Sequence, residues 1–71
     1  VIVVPAISTE DAIKKFTTAI KLDSVYGDAY YFRGLSKYYL GKKDEAAADL
    51  KTARSLGNEQ AAGILKRYFK I

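Results

Sequence analysis

Apolar residues recur every three or four positions through most of the chain, and the recurrence falls into separate stretches. In the first, Ala12, Ile13, Phe16, Ala19 and Ile20 make one stripe of a helix, with polar residues between them. Ser8-Thr9-Glu10-Asp11 reads as its cap: the Ser8 hydroxyl accepts an orphan amide hydrogen and Asp11 reaches back. Glu10 and Asp11 suit the positive end of the helix dipole, and each stands four residues before a lysine, Lys14 and Lys15. This pattern predicts a helix over 8–22. A second is predicted from Asp28, a candidate cap, to Leu40, with Gly41 as a left-handed stop. A third runs from Lys43 to Leu56 and is stopped by Gly57, and Asn58 then caps a fourth over 59–69. Connections this short make consecutive helices antiparallel neighbours. The opening Val1-Ile2-Val3-Val4-Pro5-Ala6-Ile7 stands apart, as a linker or tail of another element, or as a β-type arm that pairs or packs elsewhere. The expectation is an apolar arm over 1–7 and an all-α domain over 8–71.

The helices also repeat. A shift of 34 residues sets Ala12 on Ala46, Thr18 on Thr52, Ala19 on Ala53 and Leu22 on Leu56. It also pairs Phe16 with Leu50 and exchanges Glu10-Asp11 for Asp44-Glu45. The coincidences fall on the inward face, where small alanines let helix backbones approach and Phe16 or Leu50 fills the space between crossings.

A 34-residue period of paired helices resembles the tetratricopeptide repeat family. Tyr30 stands for that family's leading aromatic, Gly34 for its glycine, Ala46 and Ala53 for its two alanines, and Leu50 for the aromatic between them. The stretch Ala29-Tyr30-Tyr31-Phe32-Arg33-Gly34-Leu35 looks like a subtype with Arg before the glycine. Arg33 replaces the usual Leu, Lys37 the usual Tyr, and Ser24 and Asn58 the closing proline. The resemblance covers Thr9 to Asn58, the second helix of one repeat and then a complete repeat. From Glu59 the chain resembles either the first helix of a further repeat or a covering helix. It implies a right-handed stack of antiparallel helices; a generic four-helix bundle around one core is the alternative.

In that family ligands lie along the concave face made by the first helix of each repeat. The resemblance therefore implies Asp28, Tyr31, Leu35, Tyr38 and Tyr39 as contact residues, continued by Leu65, Lys66 and Phe69. The residues themselves agree in part: with Tyr30 and Gly34 on the inward stripe, Tyr31, Leu35 and Tyr38 form a second stripe beside it. Tyrosines with apolar bodies and polar tips suit half-wet contact surfaces. The same tyrosines equally suit packing against a neighbouring helix or the 1–7 arm. The carboxylate clamp of some family members is not expected, because Lys66 alone does not make one.

Composition narrows the chemistry. The chain has 71 residues, about half of them apolar, which allows one small core. Cys and His are both absent, which removes disulfides, thiolate or imidazole metal ligands and the usual near-neutral proton shuttle. Ser and Thr lack a neighbouring neutral base, and no glycine-rich phosphate loop or metal-ligand motif occurs. Asp44, Glu45 and Asp49 read as a solvated helix face. No catalysis, cofactor or metal is expected.

Net charge is +4, with small basic groups at Lys42-Lys43 and Lys66-Arg67-Lys70. They serve as solvated helix-end charge or as a rim that guides acidic partners. Nucleic-acid contact, with Tyr38, Tyr39, Lys42 and Lys43 as its candidate patch, lacks the continuous basic stripe it needs. The apolar opening is too short to span a bilayer and lacks a basic flank, so no membrane partner is expected. A start at Val1 suggests a piece of something longer. The expected function is binding of a protein or peptide, with an acidic bias, through the concave face. The first alternative is self-association through uncapped apolar ends, and the second is a basic nucleic-acid contact module.

Overall fold

The computed structural model describes residues 9–71, so the 1–7 arm and the Ser8 cap lie outside the described residues. Those residues are all-α, with helices α1 (Thr9–Leu22), α2 (Gly27–Tyr39), α3 (Lys43–Ser55) and α4 (Glu59–Ile64). A π-helical segment, Leu65–Phe69, continues α4 without a break. Each helix packs on its neighbours in sequence: α1 on α2, α2 on α3, and α3 on α4 and the π-helical segment.

The stops are chemical. Gly41 and Gly57 sit at φ 81° and φ 93°, where a Cβ would be strained. Each closes a helix with the same pair of bonds. After α2, the Lys42 amide reaches the Lys37 carbonyl at 2.9 Å and the Gly41 amide the Tyr38 carbonyl at 3.0 Å. After α3, Asn58 reaches Ala53 and Gly57 reaches Arg54, both at 3.0 Å. The Asn58 side chain accepts from the Ala61 amide at 2.8 Å and so caps α4. Asp28 is not the cap expected of it. Tyr26 occupies that position without a side-chain bond, and the Asp28 carboxylate instead accepts from Asn58 Nδ2 at 2.9 Å, linking the two turns.

Ala29, Ala46, Leu50, Ala53, Ala61 and Leu65 are essentially fully buried. Four of the six are alanines, so α2, α3 and α4 meet at close range. Gly34 marks the tightest crossing: a Cβ there would lie 3.0 Å from Leu50 Cγ and 3.2 Å from the Ala46 carbonyl oxygen. The 34-residue offset survives in local bonding as well, since Thr18 Oγ1 donates to the Lys14 carbonyl and Thr52 Oγ1 to the Ala48 carbonyl, each at 3.1 Å. Helix α1 buries none of its residues completely; among the described residues α2 is the element packed closely on it. It is held by Phe16 stacked on Phe32, ring centroids 5.6 Å apart.

One polar cluster ties three helices. Arg33 on α2 forks onto Asp49 on α3, with Nε 2.8 Å from Oδ2 and Nη2 2.7 Å from Oδ1. Its third nitrogen, Nη1, donates to Thr17 Oγ1 on α1 at 3.3 Å. Lys37 lies 3.1 Å from the same Asp49 and 3.6 Å from Glu45. Asp49 is therefore buried and paired, not part of a solvated acidic face. The hydrogen bond to Asp49, helped by its charge and opposed by burial, holds the Arg33 pKa above its already high ordinary value.

Candidate functional site

An open groove of about 480 Å³ runs between α2 and the last helix. Tyr31, Leu35, Tyr38 and Tyr39 form its α2 wall, at the i, i+4, i+7 and i+8 positions of one helical face. Ile64, Arg67 and Tyr68 form the opposite wall, and Leu50 of α3 lies at the base. Four of the five α2 residues expected of a contact face are thus brought together, Asp28 being the exception. Tyr39 is 77% exposed and Tyr68 62% exposed, whereas Tyr31 and Tyr38 are half-buried. Tyr31 leans on the core cluster and on Phe32, so it serves both packing and the groove.

The last helix presents different residues from those expected. Leu65 is fully buried beside Ala61, facing α3, and therefore belongs to the core and offers no surface to a partner. Lys66 is exposed but lines neither wall. Phe69 packs edge-on against Tyr38, centroids 5.6 Å apart, and lines a second depression instead. The physical reason is rotation about the helix axis. With Asn58 fixing the start, Ala61 and Leu65 turn inward, which aims Ile64 and Tyr68 at the groove. Asp28 lies at the opposite end of α2, engaged with Asn58 and away from the groove.

The second depression, about 450 Å³, adjoins the first, sharing Tyr38 and Tyr68 with it. Lys43, Asp44 and Lys51 line it, beside Ala47 and Ala48. A third surface of note is an apolar edge at the α1–α2 and α3–α4 turns, where Leu22, Val25, Tyr26 and Leu56 are exposed.

Four tyrosines supply apolar rings and hydroxyl tips to the groove. Among the described residues no group of His, Cys, Asp or Glu is placed to hold a metal ion. No helix among them is long and apolar enough to cross a membrane. No protein-family model, curated protein or solved structure matches this chain.

Proposed function

We propose that this chain is a tetratricopeptide-like, non-catalytic module that binds a segment of another protein in the groove between α2 and the last helix. The observation that carries the proposal is the groove itself: an open, mostly apolar cleft with Tyr39 and Tyr68 exposed on facing walls. Exposed aromatics are costly to leave in water and are enriched where partners dock. The family reading is supported by neighbour-to-neighbour helix packing and by burial of Ala46 and Ala53, two of the four alanines that the period aligns; Ala12 and Ala19 on α1 are half-buried.

Self-association is the second reading, favoured by the apolar edge of Leu22, Val25, Tyr26 and Leu56. End-to-end stacking is disfavoured by the same period that suggests it. If the last helix of one copy joined α1 of another as a full repeat, Arg67 would face Lys15 where Arg33 faces Asp49. Tyr68 would stand where Gly34 permits the tight crossing. Like charges and an overlarge side chain oppose that join.

Affinity capture from extracts of the source cells, comparing the wild type with a Tyr39→Ser/Tyr68→Ser variant, tests the proposal. Both side chains are exposed, so the variant is expected to fold and to lose captured proteins. Equal capture by the two removes the groove from consideration. Sedimentation over a concentration series is expected to show a monomer, and a dimer broken by Val25→Lys would favour the edge.

A further inference from the structure

The groove contains a single formal charge. Arg67 stands among tyrosines and aliphatic side chains, exposed, and no described residue gives it a hydrogen bond or an ion pair. Arg33 and Lys37, the cations of α2, both meet a carboxylate. Lys66 and Lys70 lie close to Arg67 along the chain, and no acidic residue lies between Glu59 and Ile71. Where the groove passes Tyr38 and Tyr68 into the second depression, Lys43 and Lys51 outnumber Asp44. An occupant lying across those tyrosines therefore leaves an apolar floor for a net positive surface.

A guanidinium is a planar fork that matches a carboxylate in two parallel bonds, and an occupant seated on the apolar walls would cover the pair from water and strengthen it. Single-stranded nucleic acid fits less well. Its affinity comes from several phosphate contacts along a continuous basic track. Arg67 is instead the single cation of the groove itself, over an aliphatic floor of Leu35, Leu50 and Ile64, and the adjoining depression interrupts Lys43 and Lys51 with Asp44. Resting on the groove being a binding face, the geometry points to an occupant of defined chemistry: a peptide segment with one apolar anchor side chain and, within about three residues of it in extended chain, a carboxylate held by Arg67.

Panning a random linear peptide library against the full 71-residue chain, then titrating the selected peptides by fluorescence anisotropy, tests this. The selected peptides are expected to share an apolar residue with a nearby Asp or Glu. Arg67→Glu is expected to weaken them by on the order of ten-fold or more, whereas Lys14→Glu on the remote face of α1 leaves binding unchanged. Circular dichroism confirms that each variant is folded. Peptides that require Tyr39 and Tyr68 yet lack a carboxylate and bind Arg67→Glu equally well overturn the carboxylate assignment while leaving the groove reading intact. Selected peptides that ignore all three positions overturn both. An oligonucleotide bound in preference to every acidic peptide, and lost in Arg67→Glu, reassigns Arg67 to phosphate and overturns the inference.

Discussion

Replacing Asp49 with alanine removes the carboxylate on which Arg33 and Lys37 converge. The side chains of Arg33, Lys37 and Asp49 are 17%, 15% and 8% exposed, so the cluster is largely withdrawn from water. Breaking a buried pair from one side costs about 3–5 kcal/mol, because the remaining charge stays desolvated without a partner. Arg33 and Lys37 keep some access to solvent, and Lys37 keeps Glu45 at 3.6 Å, which lowers the expected loss to roughly 2–4 kcal/mol. A chain of 71 residues has on the order of 4–10 kcal/mol of total stability, so this one change removes a large share of it. Urea titration followed by far-ultraviolet circular dichroism reads the effect. With a slope of about 1 kcal/mol per molar, the midpoint should fall by roughly 2 M or more.

Two controls isolate the cause. Compared with the single changes Arg33→Leu and Asp49→Leu, the double change Arg33→Leu/Asp49→Leu substitutes apolar contact for the pair and should recover most of the loss, giving a coupling energy of about 1.5 kcal/mol or more. Added salt should leave the Asp49→Ala effect nearly unchanged, because buried pairs are poorly screened. A loss within about 0.5 kcal/mol, typical of a surface position, or a coupling near zero, refutes the reasoning. The raised Arg33 pKa gives a further check. A cation whose folded pKa exceeds its unfolded value contributes fully below the unfolded value and loses that contribution only as pH climbs through the folded one. For arginine that window lies beyond the alkaline limit of ordinary assays, so this contribution does not titrate in them.

Other substitutions follow from local geometry. Gly34→Ala places a methyl 3.0 Å from Leu50 Cγ and 3.2 Å from the Ala46 carbonyl, and overpacking here should cost about 1–3 kcal/mol in urea or thermal melts. Gly63→Ala has the opposite sign: nothing lies within 4 Å of the new Cβ, and relief of a helical glycine should add about 0.5–1 kcal/mol. Asn58→Ala removes both the Ala61 cap and the bond to Asp28, for a loss of about 1 kcal/mol, measured as local amide exchange in α4.

Helix number was legible because apolar spacing, Gly41, Gly57 and the Asn58 cap act locally and point the same way. What escaped was relational. Arg33 and Lys37 are largely withdrawn from water on α2 and so require a partner, but nothing in spacing alone distinguishes Asp49 from Asp44 or Glu45 until α3 is docked. The α2 wall of the groove could be read because one helix face fixes its own members. Its opposite wall could not be read by projecting 34 residues from Tyr31, which lands on Leu65. The actual phase is set by the capped start at Asn58, which buries Leu65 and exposes Tyr68. The π-helical turn carries no evident sequence mark. Its closing contacts, Lys70 in the left-handed region and the Ile71 amide on the Leu65 carbonyl at 3.2 Å, exist only once the segment is folded.

Nitrogen-proton NMR shift mapping of the isotope-labelled chain, titrated to saturation with a library-selected peptide, tests the groove most directly. The account predicts that the largest changes fall on Tyr31, Leu35, Tyr38 and Tyr39 of α2 and on Ile64, Arg67 and Tyr68 across from them. Changes confined to Leu22, Val25, Tyr26 and Leu56, with the tyrosine walls unmoved, would contradict it and assign recognition to the apolar edge.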